Sequence, residues 1–190
     1  MSQEFLSKAL QQSVDLHSRL LNDQQIQNTT GKIVTEIKDC FNRGNKLLIA
    51  GNGGSAADAQ HFAGEFVGHF SKDRKPLPAI ALHTDTSTLT AIGNDYSYDK
   101  IFSRPLEALG QTGDIFIAYS TSGNSKNIIN ALEVARDKGI TSISFLGKDG
   151  GQAKDLSDFA IVIPSNETPR IQEAHTLFLH AITEAVEEDL

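Results

Sequence analysis

Five short apolar runs alternate with stretches of helical periodicity, and this alternation constrains the fold more than any other feature of the sequence. Continuous apolar runs are typical of strands that are buried on both faces of a parallel sheet. Helices that connect such strands cover both faces of the sheet. The sequence therefore predicts an α/β three-layer sandwich with a central five-stranded parallel sheet. The predicted strands are 46–50, 78–82, 114–119, 141–146 and 159–163, and the predicted helices of this part are 55–69, 98–109, 126–138 and 168–188.

The first 44 residues differ from the rest, because helical spacing of apolar residues continues through 4–43 with one break near Asp23 and Gln24. Gly44 suits the position that follows the end of the second helix. No linker rich in glycine or proline follows this region. We therefore expect 1–190 to form a single domain, in which 1–44 is a helical extension that packs on the core or at an oligomer interface.

Composition excludes several functional classes. The net charge of −7 opposes binding to nucleic acids and to acidic membranes. No apolar run approaches the roughly 20 residues of a membrane span, and residues 1–4 lack the basic and apolar regions of a signal peptide. Cys40 is the single cysteine, so no intrachain disulfide forms, and its helical context favours a buried apolar role over a nucleophile. These features predict a soluble cytoplasmic protein.

Two polar loops follow predicted strands at the edge where parallel sheets bind ligands. The first loop is 51–55, with sequence GNGGS, and the second loop is 120–125, with sequence STSGNS. Glycine lets the backbone approach an anion closely, Ser55 suits the N-cap position, and hydroxyls at a helix start donate hydrogen bonds to phosphate. Structural turns remain an alternative for each loop. The first loop also fits a loose dinucleotide fingerprint, although Asp85 is poorly placed to complete it. Together the loops favour a phosphorylated small molecule.

A second group of side chains has the character of metal ligands. His61 and Glu65 are four residues apart, so they share one helix face and could bind one zinc ion, or simply each other. Gln172 and His180 lie on a similar face of the last predicted helix, about 12 Å apart along its axis. One metal could meet both only if the side chains lean together, and separate subunits could supply them instead. We expect His175 to be structural.

Several longer motifs together carry a resemblance to a known family. The chain resembles the phosphoheptose isomerases, which are sugar isomerase (SIS) domain proteins with a flavodoxin-like fold, and the resemblance covers nearly its whole length. The motifs are 51–62, 91–96, 102–104, 120–125 and 170–173. The resemblance implies an aldose–ketose isomerase that converts sedoheptulose 7-phosphate to D-glycero-D-manno-heptose 7-phosphate through an enediol. This reaction is the first step of ADP-heptose biosynthesis for the lipopolysaccharide core. It also implies a homotetramer with one Zn²⁺ per subunit.

The same resemblance implies roles for individual residues. Glu65 would be the catalytic base, and His180 the acid or second proton carrier. Glu65 would then act both as a ligand and as a base. The implied metal ligands are His61, Glu65, Gln172 and His180. The implied substrate-binding residues are Asn52, Gly53, Gly54, Ser55, Glu65, Asn94, Asp95, Ser120, Thr121, Ser122, Ser125 and Gln172.

Two departures and two alternatives accompany the resemblance. His69 stands where many members carry arginine and Pro169 where some carry aspartate, so Arg74 or Arg170 could supply the contacts to the far end of the substrate. Some relatives are non-catalytic tetramers that bind a replication initiator, and they lack the residues that correspond to Glu65 and His180. The presence of both here favours the enzyme. Another sugar phosphate, a pentose or hexose phosphate, is the other alternative.

Overall fold

The computed structural model describes residues 2–188, so the ends of the predicted domain, residues 1 and 189–190, lie outside the described part. Eight helices and five strands follow one another along it. The helices are α1 (Ser2–Leu21), α2 (Gln24–Asn42), α3 (Gly54–Val67), α4 (Thr86–Asp95), α5 (Ser103–Leu109), α6 (Lys126–Asp137), α7 (Gly151–Leu156) and α8 (Thr168–Glu187). The strands are β1 (Leu47–Gly51), β2 (Ala79–Ala81), β3 (Ile115–Ser120), β4 (Thr141–Gly147) and β5 (Phe159–Ile163).

The strands form one parallel sheet in the order β2-β1-β3-β4-β5, which confirms the predicted fold class. The strand order reverses direction between β1 and β3, which pair along their whole lengths. Ligands of open parallel sheets bind outside the carboxyl ends of the strands at such a switch point. The loops after β1 and β3 are the first and second loops, so this topology places them side by side.

Each face of the sheet is covered by its own apolar layer. On one face, α1, α2, α3 and α8 bury residues such as Leu16, Ile37 and Phe62 against the strands. On the other face, α4, α5, α6 and α7 pack through residues such as Leu106 and Ile128. The two N-terminal helices therefore contribute side chains to the same core as the sheet.

The helix predicted at 98–109 is wrong in extent. A short 3₁₀ turn, Tyr98–Lys100, is followed by the separate helix α5. Two helices, α4 and α7, were not predicted at all. The start of α4 is stabilised by Asp85, whose carboxylate accepts a hydrogen bond from the Thr88 backbone N–H at 3.1 Å. Asp85, which fitted the dinucleotide fingerprint poorly, therefore has a structural role as a helix cap.

Helix α2 ends as the sequence indicates, since Gly44 adopts a left-handed conformation just beyond it. Cys40 is buried, as expected. Within the described residues, no helix combines the length and the apolar character that a membrane crossing requires.

Candidate functional site

The first loop turns β1 into α3 through a backbone conformation that favours glycine. The N-cap of α3 is Gly53, which has a φ of +57°, a value that glycine adopts without steric cost. The prediction that Ser55 is the N-cap is therefore wrong. Ser55 lies in the first turn of α3 and is buried. Its side chain is enclosed because the loop folds back sharply, with the Ser55 backbone N–H donating to the Asn52 carbonyl at 3.0 Å.

The start of α3 is closely approached by α8. A Cβ atom added to Gly54 would lie 2.6 Å from the Nε2 atom of Gln172, so only glycine leaves room for this amide in its observed place. Gln172 is half-buried. The structure thus brings two of the predicted substrate-binding residues together, one from each end of the chain's α/β region.

The second loop is organised by its own hydroxyl groups. Ser120 is buried at the end of β3, and its Oγ accepts a hydrogen bond from the Gly123 backbone N–H at 3.1 Å. The Ser120 and Ser125 hydroxyls are 3.3 Å apart. Ser122 Oγ accepts from the Asn124 N–H at 3.2 Å, while Thr121 is half-buried between them. The loop is therefore preformed at the start of α6, where free backbone N–H groups favour an anion.

An amide pair joins the first loop to the start of α6. Asn52 and Asn127 exchange two hydrogen bonds, of 2.9 Å and 2.8 Å, and Asn52 Oδ1 also accepts from the Tyr98 hydroxyl at 2.9 Å. The Asn52 side chain therefore holds the first loop against α6, which begins just after the second loop, and its backbone remains the part that could meet a ligand. Sequence analysis did not identify Asn127 or Tyr98, because their partners are distant in sequence.

The predicted pair Asn94 and Asp95 lies in the last turn of α4. Both residues are exposed, and the Asn94 amide donates to Asp95 Oδ1 at 2.8 Å. Helix α4 packs against the 3₁₀ turn that carries Tyr98. This contact connects the pair indirectly with the first loop, through the Tyr98–Asn52 hydrogen bond.

Helices α3 and α8 bring together three potential metal ligands. His61 Nε2 lies 2.8 Å from Glu65 Oε1, and His180 Nε2 lies 3.3 Å from His61 Nε2. One ligand atom from each of the three residues lies within 4.8 Å of the others. The His61 side chain is 43% exposed and that of Glu65 is 18% exposed, so the cluster is open to solvent.

This donor set fits a catalytic zinc site. Zn²⁺ binds imidazole nitrogen and carboxylate oxygen, and catalytic sites commonly use three protein ligands and leave one position open. The three ligand atoms lie close enough together to bind one ion. His61 and His180 meet within one chain. Gln172 lies two helical turns before His180, about 12 Å along α8, so its role as a ligand stays a prediction.

A cavity of about 340 Å³ borders the ligand cluster. It is lined by Ala57, Gln60, His61, Gly64 and Glu65, all on the exposed face of α3. The small residues Ala57 and Gly64 flank the ligands and leave space above them. A small molecule could therefore approach His61 and Glu65 from solvent along the helix that begins at the first loop.

A buried hydrogen bond sets the two ligand-bearing helices against each other. Thr176 Oγ donates to Asp58 Oδ1 at 2.9 Å, one turn before His180 on α8 and one turn before His61 on α3. Burial raises the pKa of Asp58, and the hydrogen bond from Thr176 partly opposes this shift. Sequence analysis missed this contact, which depends on the crossing of the two helices.

His175 has a structural role, as expected. It is fully buried, and its Nε2 lies 3.1 Å from the Leu146 carbonyl. Burial lowers the pKa of His175 to about 4. The ring therefore stays neutral at physiological pH and donates to the end of β4.

Arg74 and Arg170 both form contacts within the fold, and substrate contacts by either residue stay a prediction. The Arg74 side chain is 9% exposed, pairs with Glu187 and donates to backbone carbonyls at the end of α3. Arg170 donates to the Ala9 carbonyl of α1 and pairs with Glu173. Both guanidinium groups are engaged within the fold.

Comparison with known proteins assigns the chain to a family. Residues 10–147 match the SIS domain family. The phosphoheptose isomerase of Aneurinibacillus thermoaerophilus is 50% identical over 185 residues, which cover 97% of this chain and 93% of that protein. That of Citrifermentans bemidjiense is 57% identical over 157 residues, with 83% and 82% covered. The chain belongs to the phosphoheptose isomerase family. It is accordingly an enzyme of the isomerase class.

Solved phosphoheptose isomerase structures share the whole architecture. That of Neisseria gonorrhoeae superposes with a TM-score of 0.92 at 38% identity and covers 99% of this chain and 100% of its own. That of Francisella tularensis has a TM-score of 0.94 at 32% identity, with 99% of both chains covered. The likeness therefore includes the N-terminal helices as well as the sheet.

Proposed function

We propose that the chain interconverts sedoheptulose 7-phosphate and D-glycero-D-manno-heptose 7-phosphate, as the first step toward ADP-heptose for the lipopolysaccharide core. The observation that carries the proposal is the cluster of His61, Glu65 and His180 on a helix that starts at the polar first loop. The names of the relatives support the heptose phosphate as substrate. We assign the reaction to the cytoplasm.

The two loops would bind the phosphate end of the sugar. Backbone N–H groups at the starts of α3 and α6 and the hydroxyls of Ser120, Ser122 and Ser125 are suitable donors. The net charge of −7 gives little general attraction for an anion. Local donors at the helix ends are therefore the groups that would hold a phosphate. Ser55, Thr121, Asn94 and Asp95 would complete the binding surface.

The ligand cluster would lie at the carbonyl end of the sugar. Glu65 is about 15 Å along α3 from the first loop, a distance that an extended seven-carbon chain with a terminal phosphate largely spans. The cavity beside Glu65 and His61 provides space for the C1 and C2 atoms. Orientation by both ends would hold the reacting carbons beside a fixed carboxylate.

Proton transfer would then be carried by two side chains. Glu65 would take the proton from the hydroxyl-bearing carbon and return it to the neighbouring carbon of the enediol. Its Oε1 faces His61, so we assign proton transfer to Oε2. His180 would move the proton between the C1 and C2 oxygens, a role that its Nε2 can take only while it is not bound to a metal ion. A zinc ion held by His61, Glu65 and His180 would supply Lewis-acid polarisation of the carbonyl when bound.

An oligomer is part of the proposal. Helix α1 exposes the apolar residues Phe5, Leu6, Leu10, Val14 and Leu21. A groove of about 720 Å³ between α1, α2 and α8 is lined mainly by apolar side chains, including Val14, Leu21 and Leu177. Such a continuous apolar surface is typical of a subunit interface. We propose that it assembles the homotetramer.

The test is turnover of sedoheptulose 7-phosphate, followed by NMR, with and without added zinc. We expect zinc-dependent conversion by the wild type and a loss of at least 100-fold in kcat for Glu65→Gln, the range for a removed general base. Glu133→Gln changes an exposed glutamate on α6 and serves as the matched control. A near-normal kcat for Glu65→Gln would show that the assignment of the base is wrong. Faster conversion of a pentulose phosphate than of sedoheptulose 7-phosphate would show that the proposed substrate is wrong.

A further inference from the structure

The turn after α3 places an aromatic ring against the imidazole of His180. The Phe70 and His180 ring centroids are 5.4 Å apart, and the planes differ by 23°, so the rings are stacked. His180 in turn meets His61 edge to face, with centroids 4.9 Å apart and an interplanar angle of 77°. Phe70 therefore covers one face of an imidazole whose edge belongs to the ligand cluster.

The turn that carries Phe70 is anchored by a buried carboxylate. Glu187 Oε1 accepts a hydrogen bond from the Phe70 backbone N–H at 2.7 Å. Its Oε2 accepts from the N–H groups of Ser71 at 2.8 Å and Lys72 at 3.3 Å. These contacts immobilise the backbone at the residue whose ring is stacked on His180.

The guanidinium group of Arg74 connects Glu187 with the backbone of Glu65, the proposed catalytic base. Arg74 Nε donates to Glu187 Oε1 at 2.9 Å, and Arg74 Nη2 donates to the Glu65 carbonyl at 2.8 Å. Arg74 Nη1 donates to the Phe66 carbonyl at 2.8 Å. The same ion pair thus connects the Phe70 turn with the end of α3, where Glu65 lies.

Helix α8 supplies both the covered ring and the anchor. Glu187 follows His180 by seven residues, which is two turns, so the two side chains leave almost the same face of the helix. Because Glu187 holds the Phe70 turn and lies on the same rigid helix as His180, α8 fixes the distance between the Phe70 turn and the His180 ring. A stacked ring held in this way restricts rotation of the imidazole about its side-chain bonds.

We propose that Phe70 is a positioning residue, which holds the His180 imidazole so that Nε2 points at His61 and Glu65. The inference rests on the proposed function for the roles of His180 as ligand and proton carrier. Phe70 itself contributes no ligand atom and no proton. Hydrogen-bonded groups that orient metal ligands commonly affect metal affinity or activity by about 10-fold to 100-fold, and for a stacked ring we expect the lower end of that range.

The test compares Phe70→Leu, which keeps apolar bulk but loses the flat ring, with Phe70→Tyr, which keeps the ring. For Phe70→Leu we expect zinc affinity and kcat each to fall about 10-fold, with KM within about twofold of wild type. Phe70→Tyr is expected to retain both values. In the zinc-free protein, the His180 ring-proton NMR signals should move in Phe70→Leu, because the ring current of Phe70 is lost, and stay in place in Phe70→Tyr.

Wild-type zinc affinity and kcat in Phe70→Leu would overturn the proposal. Equal losses in both variants would also overturn it, since the ring would then not be the feature that matters. The NMR signals and zinc affinity do not depend on the sugar. If the wild type fails to convert the heptose phosphate, zinc affinity still decides whether Phe70 positions His180, and the NMR signals show whether the Phe70 ring lies on the imidazole.

Discussion

Replacement of Glu187 by glutamine is expected to lower the free energy of unfolding by about 3 kcal/mol. The Glu187 side chain is 0% exposed and accepts hydrogen bonds from three backbone N–H groups, the Ser71 hydroxyl and Arg74. An amide converts one acceptor into a donor and leaves the buried Arg74 without a counter-ion. Loss of one partner of a buried ion pair costs about 3–5 kcal/mol. We expect the lower end, because Ser71 and Lys72 are exposed and can regain water.

Urea unfolding at pH 7 measures this difference, with Glu184→Gln as the control on the exposed face of the same helix. The control is expected to change stability by less than about 0.5 kcal/mol. Hydrogen bonds from the Phe70, Ser71 and Lys72 backbones lower the pKa of Glu187 to about 2 against the opposing effect of burial, from an unfolded value of 4.5. The carboxylate therefore stabilises the fold above pH 4.5, and this contribution disappears as pH falls from 4.5 toward 2. A difference below about 1 kcal/mol at pH 7 would refute the reasoning.

Three further predictions concern other parts of the fold. Gly54→Ala should displace Gln172 and lower kcat about 10-fold without lowering the thermal unfolding midpoint. An unchanged kcat would show that Gln172 takes no part in the reaction. His175 binds a proton in the unfolded chain below pH 6.5 but in the folded chain only near pH 4, so stability should fall by about 3 kcal/mol across that window as pH decreases. Urea titrations of wild type and His175→Gln measure this loss, and equal slopes would contradict it. Burial raises the pKa of Cys40 to about 11, so a thiol reagent at pH 8 should modify it only as fast as the protein unfolds; rapid labelling of the native protein would disprove this.

The sheet was predictable because its central strands, β1, β3 and β4, are buried on both faces. A continuous apolar run such as 115–119 is typical of a strand in a parallel sheet, and all five strands were predicted to within one residue at each end. Short helices were less predictable. Helix α7 has six residues, and its start depends on Gly150, which adopts a φ of +90°. Local periodicity carries little information over so few residues.

The candidate site was predictable in part. His61 and Glu65 lie on one helix, so their spacing alone places them together. The approach of His180 to His61 was left open, because it depends on how α3 and α8 cross. The partner of Arg74 could not be predicted for a similar reason, since Glu187 is 113 residues away in sequence.

Sequence by itself determined the elements and the residue types at the sheet's carboxyl edge. Strand patterns, glycine positions and i,i+4 pairs are local properties, and hydrophobic periodicity expresses them within a few residues. Tertiary structure alone decided which side chains from distant segments meet: Gln172 over Gly54, Phe70 on His180 and Arg74 with Glu187. These contacts arise from the packing of α3 against α8. This packing depends on how the surfaces of both helices fit together, so neither segment predicts it alone.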